Sequence, residues 1–174
     1  MRFSQLLQLP YEARTDKIYI SELLDRLPNF PQEILRDFLA DHGRKDDFQE
    51  QYAHIDLLRI KWLEQRVAAE NLIECALFGR FMPRFAAVTA RPDSWSEKGW
   101  GCVDPREQVI NYWRKHKTWQ RKPIFLNGAL MFSEKDYYLV EGHTRLGLLK
   151  GLIGSNVVSR KASHSIWFGC YKDA

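Results

Sequence analysis

The sequence predicts an α/β protein, with helices and strands mixed in one domain. Three observations predict it. Apolar residues recur at helical spacing through the first two thirds of the chain. The last third alternates short β-branched or aromatic runs with a glycine-bounded helix. The 174 residues, 45% hydrophobic and 28% charged, are ordinary globular composition with room for one core. Six Trp and ten Phe argue further against disorder.

The elements read as follows. Lys17-Ile18-Tyr19-Ile20 is a short strand, β-branched and aromatic. Ser21 is a candidate N-cap for a helix from Glu22 to Leu27, and Pro28-Asn29-Phe30-Pro31 ends it. Pro31 opens a helix from Gln32 to His42, with Ile34, Leu35, Phe38 and Leu39 on one face and Gly43 as its C-cap. Ile55, Leu58, Trp62, Ala69, Leu72, Ile73 and Ala76 then predict one long helix, from about Asp47 to Leu77. Leu57, Ile60, Leu63 and Val67 widen its apolar surface. Residues Arg91 to Pro105 read as a loop, rich in Pro, Ser, Asp and Gly and carrying Trp95 and Trp100. Arg106 to Lys115 is a helix with Val109, Ile110 and Trp113 on one side. Pro123–Leu126 and Tyr137–Val140 are strands, with Asn127-Gly128 as a turn signal between them. Leu146–Leu152 is a helix, and Ser165–Tyr171 a final strand.

No apolar run approaches the roughly 20 residues needed to cross a bilayer. The first ten residues lack the apolar stretch of a signal peptide. The three cysteines, Cys75, Cys102 and Cys170, are far apart and form no Cys-x-x-Cys pair. A disulfide framework and a structural zinc site are therefore not expected, and no metal is assigned. A cytoplasmic protein without membrane association is the expectation. The net charge of +4 is mildly basic, and its placement matters more than its size.

The sharpest chemical signal is Glu141-Gly142-His143-Thr144-Arg145, where the Tyr137–Val140 strand gives way to a helix. A glycine at such a corner exposes the first N–H groups of the helix, which with the helix dipole favour an anion. Arg145 lies in the first helical turn and can add a bidentate fork. His143 and Thr144 bring a titratable ring and a hydroxyl to the same corner. Glu141 is the candidate base if the protein is an enzyme. The competing reading is a capped strand-helix turn in which Arg145 pairs with Glu141 or Glu107.

A strand followed by Gly-x-x-Arg opening a helix resembles the ParB/sulfiredoxin superfamily. The upstream order is similar. A first strand precedes Ser21-Glu22-Leu23-Leu24, and a helix then ends in Asp41-His42-Gly43. Later come Lys122-Pro123-Ile124-Phe125-Leu126 and the strand with its turn. The resemblance covers about 15–43 and 121–174. It implies a small mixed sheet, with 44–120 as a large helical insertion in one domain spanning 1–174. It implies that Gly142, His143, Thr144 and Arg145 hold the phosphate of a nucleotide or a nucleic acid, so a nucleotide is the one cofactor to consider. His143 stands where sulfiredoxins carry their cysteine, which removes sulfiredoxin chemistry. The turn lacks the Glu-Arg-Arg ending of partition ParB proteins, and the helix-turn-helix domain of those proteins is not expected here.

The second signal is Trp113-Arg114-Lys115-His116-Lys117-Thr118-Trp119-Gln120-Arg121-Lys122. Interleaved cations and rings suit single-stranded nucleic acid, and suit an acidic protein surface equally. The competing reading is a solvated helix end whose Trp113 and Trp119 are core anchors. His42, His54 and His164 are isolated and show no metal-ligand spacing. Three functions fit. The first is a stand-alone ParB-like binding protein for a nucleotide or nucleic-acid phosphate. The second is an immunity protein or antitoxin that neutralises a bacterial toxin by direct contact. The third is a phosphotransferase or nuclease using Glu141.

Overall fold

The computed structural model describes residues 1–172. The last two residues of the 121–174 segment lie outside that range. A short hairpin, β1 (Tyr11–Glu12) and β2 (Lys17–Ile18), stands apart from a five-stranded mixed sheet. That sheet contains β3 (Ile60–Ala68), β4 (Ala76–Leu77), β5 (Ile124–Asn127), β6 (Tyr137–Glu141) and β7 (Ser163–Tyr171). Its order is β3-β7-β5-β6-β4. The β3–β7 and β5–β6 pairs are antiparallel, while β5–β7 and β4–β6 are parallel.

Two cores sandwich the sheet, and the period-2 alternation of side chains assigns residues to each. Ile124, Leu126, Tyr138 and Val140 join the N-terminal helices in one cluster. Phe125 and Leu139 join the other, with α8 (His143–Gly154). The central strands are buried on both faces, which is why they read as continuous apolar runs. The first cluster is filled by α1 (Ile20–Arg26), α2 (Gln32–Ile34) with its π-helical continuation Leu35–Ala40, and α3 (Asp46–Tyr52). The other face holds α8, α4 (Ala69–Ile73), α5 (Met82–Thr89) and α7 (Glu107–His116). Between α5 and α7 lie 3-10 turns and the short α6 (Trp95–Lys98).

Helix α8 is apolar nearly all round, as a central helix must be. Gly147 and Gly151 let it lie against α5. A Cβ at Gly151 would stand 2.2 Å from the Thr89 carbonyl oxygen, and one at Gly147 would stand 3.1 Å from that of Phe85.

The long helix predicted from Asp47 to Leu77 does not form. The chain leaves α3 at Tyr52 and turns through Asp56, whose carboxylate accepts a bond from the Leu58 N–H. It then runs as the nine-residue edge strand β3, paired in unbroken register with β7. Segment 44–120 is therefore not purely helical, since β3 and β4 are the two edges of the sheet. Pairing with a strand about a hundred residues away overrides the helix-forming Leu, Glu, Gln and Arg of β3. Only one side of an edge strand is paired, so Lys61, Glu64 and Arg66 stay exposed and blur the alternation. The Arg91–Pro105 loop is real but is wound into short turns, and α5 was not anticipated. No helix among the described residues is long and apolar enough to cross a membrane.

Candidate anion-binding site

The strand-turn-helix at 141–145 forms as the sequence predicts. β6 ends at Glu141, and Gly142 adopts φ 107° and serves as the N-cap of α8. Only glycine fits there. The backbone is left-handed, and a Cβ would stand 2.7 Å from that of Pro123. Gly142 has no side chain to cap the helix, and the first intrahelical bond runs from the Leu146 N–H to the Gly142 carbonyl. The N–H groups of His143, Thr144 and Arg145 therefore have no intrahelical acceptor. Gly142, His143, Thr144 and Arg145 help to line a cleft of about 760 Å³. That volume is in the range of small-ligand sites.

Five arginines line this cleft, drawn from separate parts of the chain. Arg84 comes from α5, Arg91 from the following turn, Arg106 from the start of α7, Arg121 from the lead into β5, and Arg145 from α8. Two carboxylates, Asp104 and Glu141, oppose them. Asp104 is held bidentately by Arg106 at 2.8 and 3.0 Å, and this hydrogen-bonded pairing pulls its pKa below the usual carboxylate range. Glu141 is ion-paired with Arg145. Two such pairs leave three further guanidinium charges. Arg91 donates to the Val103 carbonyl at 3.1 Å, and Arg121 is exposed with its nearest carboxylate, Asp37, at 3.9 Å. Arg84 is exposed on α5.

A row of rings forms the opposite character of the wall. His42 stacks on Phe48 at 4.4 Å, Phe48 lies 6.1 Å from Phe81, and Phe81 lies 4.3 Å from His143. Burial holds both imidazoles neutral, lowering His143 and His42 to about 4, with Arg84 also acting on His143 and Lys45 on His42. Among the described residues the buried Nε2 of His143 finds no hydrogen-bond partner. The cleft thus pairs an aromatic wall with a cationic rim and a bare helix N-terminus. Among the described residues no group of three or more His, Cys, Asp or Glu is placed to hold a metal ion.

Arg145 is less free than its position in the motif suggests. Its Nη1 donates to the carbonyl oxygens of Arg121 at 2.9 Å and Lys122 at 3.3 Å, while Nη2 engages Glu141. The guanidinium fastens α8 to the lead into β5. Burial pushes the Glu141 carboxyl upward in pKa despite that guanidinium, with Asp37 adding to the rise. Of the two readings open at the sequence level, the Arg145–Glu141 pair is present, and it stands beside helix-start N–H groups that have no intrahelical acceptor.

The basic-aromatic segment divides. Trp113 and Trp119 are 2% and 4% exposed and meet edge-to-face in the core, where the Trp119 indole N–H donates to the Ser165 carbonyl at 2.7 Å. Neither offers a free ring face to a base. Lys117 lies over the Trp100 ring at 4.1 Å, and Lys122 pairs with Glu64 at 3.1 Å. Arg114 and Lys115 point to solvent at the end of α7, outside the cleft lining. Of the segment's cations, Arg121 reaches the cleft. Sequence reasoning passed over Arg84, Arg91, Arg106, Phe48 and Phe81. They lie in no motif, and the folding of the chain brings them together.

No family model, curated protein or solved structure matches this chain.

Proposed function

We propose that this protein binds a phosphate-bearing ligand of nucleotide size in the arginine-lined cleft at the start of α8. The observation that carries the proposal is the convergence of five arginines on a bare helix N-terminus in one cleft. Backbone N–H groups and a helix dipole select negative charge, and guanidinium forks match phosphate oxygens. Of the row of rings, Phe81 and His143 are half-buried at the cleft beside the start of α8 and give a planar group an edge to lie against, while Phe48 is buried behind them. A cleft of about 760 Å³ and two buried tryptophans favour a single nucleotide over a nucleic-acid polymer. On this reading the protein is a binding protein whose turn resembles that of the ParB/sulfiredoxin superfamily. Binding rather than catalysis is proposed, because the one carboxylate adjoining the turn is committed to Arg145.

Thermal unfolding with ATP, CTP, GTP and inorganic pyrophosphate is the test. A ligand at a hundredfold excess over its dissociation constant adds about 2.7 kcal/mol to the folded state. The melting temperature is expected to rise with at least one of these, and the rise to vanish in Arg84→Glu/Arg121→Glu. No rise with any of them contradicts the proposal.

A second reading, contact with a protein partner such as a toxin, has one specific observation behind it. Phe132 is 86% exposed at a left-handed position, φ 54°, after a 3-10 turn. An exposed ring on a tightly turned loop is a natural interface anchor. Phe132→Ser is expected to leave the pyrophosphate shift unchanged, which separates this surface from the cleft.

A further inference from the structure

The pairing of Arg145 with Glu141 has a consequence for how the cleft is filled. Glu141 immediately precedes the turn and lines the same cleft as the free N–H groups of His143 and Thr144. Its carboxylate and an incoming oxyanion therefore seek the same positive groups, namely the Arg145 guanidinium and the α8 N-terminus. The two backbone carbonyls on Nη1 hold the guanidinium in place whichever anion occupies Nη2.

We propose that Glu141 is a built-in competitor for the anion, holding Arg145 in the empty protein and taking up a proton when an oxyanion takes the guanidinium over. The proposal rests on the phosphate-binding reading of the cleft and adds its regulation. Three elements face the Glu141 carboxylate. Arg145 on α8 is its counter-ion, the Gly142 N–H is its backbone donor, and Asp37 on the helix after Pro31 is a second negative charge nearby. Asp37 is itself shared by Arg36 at 2.8 Å and Arg121 at 3.9 Å. Once an oxyanion shares Arg145, Glu141 loses its counter-ion and gains another negative neighbour. Both changes favour the protonated acid in a half-buried place where the charged form is already disfavoured. Ligand and proton then enter together. By linkage, affinity is highest at low pH and declines as pH rises past the pKa of Glu141 in the empty protein.

The discriminating substitution is Glu141→Gln, which keeps the shape and removes the charge. Calorimetric titration with sodium sulfate is the measurement, because sulfate keeps its double charge across the pH range and any pH dependence belongs to the protein. Glu141→Gln is expected to bind sulfate on the order of tenfold more tightly than the wild type at neutral pH, and to lose the proton uptake. In the wild type, the heat of binding is expected to vary with the ionisation enthalpy of the buffer, with the sign of proton uptake. Its negative outcome needs no variant, and a positive one is credited to Glu141 only for the part that Glu141→Gln lacks. His42 and His143 also line the cleft, but their protonation is common to both proteins and cancels in the comparison. Sulfate binding that is no tighter in Glu141→Gln, or that takes up no proton in the wild type, overturns the competitor role and leaves the phosphate site standing. If neither sulfate nor pyrophosphate binds either protein, the phosphate-binding reading itself falls and the competitor role with it.

Discussion

The turn at Glu141–Arg145 and the segment Trp113–Lys122 were the two chemical signals of the sequence, and the fold treats them in opposite ways. The turn stays together. Its five residues border one cleft, and the N–H groups of His143, Thr144 and Arg145 have no intrahelical acceptor. The segment is taken apart. Its tryptophans are buried between core and cleft, Gln120 and Arg121 border the cleft, and the other cations leave it, Lys117 for the Trp100 ring, Lys122 for Glu64, and Arg114 and Lys115 for solvent. A motif defined by backbone geometry survives folding because the glycine fixes the geometry locally. A run of charges has no such constraint, and each side chain finds its own neighbour. The positive field of the cleft comes instead from arginines that are far apart in sequence.

The largest effect that tests this contrast is on stability. If Trp113 is a core anchor, Trp113→Ala is expected to cost about 3–5 kcal/mol, read from urea or thermal unfolding. A cost below about 1 kcal/mol would return the ring to the surface and revive the stacking reading.

Next comes pH. His42 and His143 on the cleft, and His164 in the core beside Trp119, are each lowered to about 4, chiefly by burial. A depressed imidazole pKa means that the unfolded chain binds the extra proton first. Stability is therefore expected to be full above about pH 6.5 and to fall progressively as pH drops towards 4. Melting temperatures across that range check the direction. A stability that is flat from pH 7 to 4 would place these rings in water.

The smallest effect sharpens the contrast most. Arg84→Ala and Arg121→Ala are each expected to weaken pyrophosphate binding by about tenfold, while Arg114→Ala and Lys115→Ala change it less than twofold. Stability is expected to stay within about 0.5 kcal/mol in all four, because each side chain is exposed. Equal losses from both pairs would mean that the cations act as one diffuse field and the cleft is not a site.

How much of this was legible can be judged from particular residues. The strands read at Pro123–Leu126 and Tyr137–Val140 and the helix read after Gly142 lie within a few residues of the observed elements because local signals agreed with the tertiary fold. Continuous apolar runs met a left-handed glycine, and both pointed the same way. The strand Ile60–Ala68 was not readable. Its pairing with Ser163–Tyr171 is a long-range fact, and its exposed charges mimic a helix surface. The Gly147 and Gly151 pair was in plain sight, and its spacing could have signalled a helix packed closely against another chain segment. At the site, the turn was legible and its setting was not. Arg84, Arg91 and Arg106 carry no local pattern, so only the fold reveals that they share a cleft with Gly142. The Arg145–Glu141 pair was visible as an i, i+4 possibility, but whether it forms depends on the Arg121 and Lys122 carbonyls that hold the guanidinium.

The central claim is that the bare N-terminus of α8 receives the anion, and backbone amide chemical shifts test it most directly. Pyrophosphate titrated into isotope-labelled protein is expected to give saturable shifts that are largest at the His143, Thr144 and Arg145 N–H groups, with a smaller response at Arg84 and Arg121. Shifts concentrated at Arg114 to Lys117, or none that saturate at residues 143–145, would contradict the account.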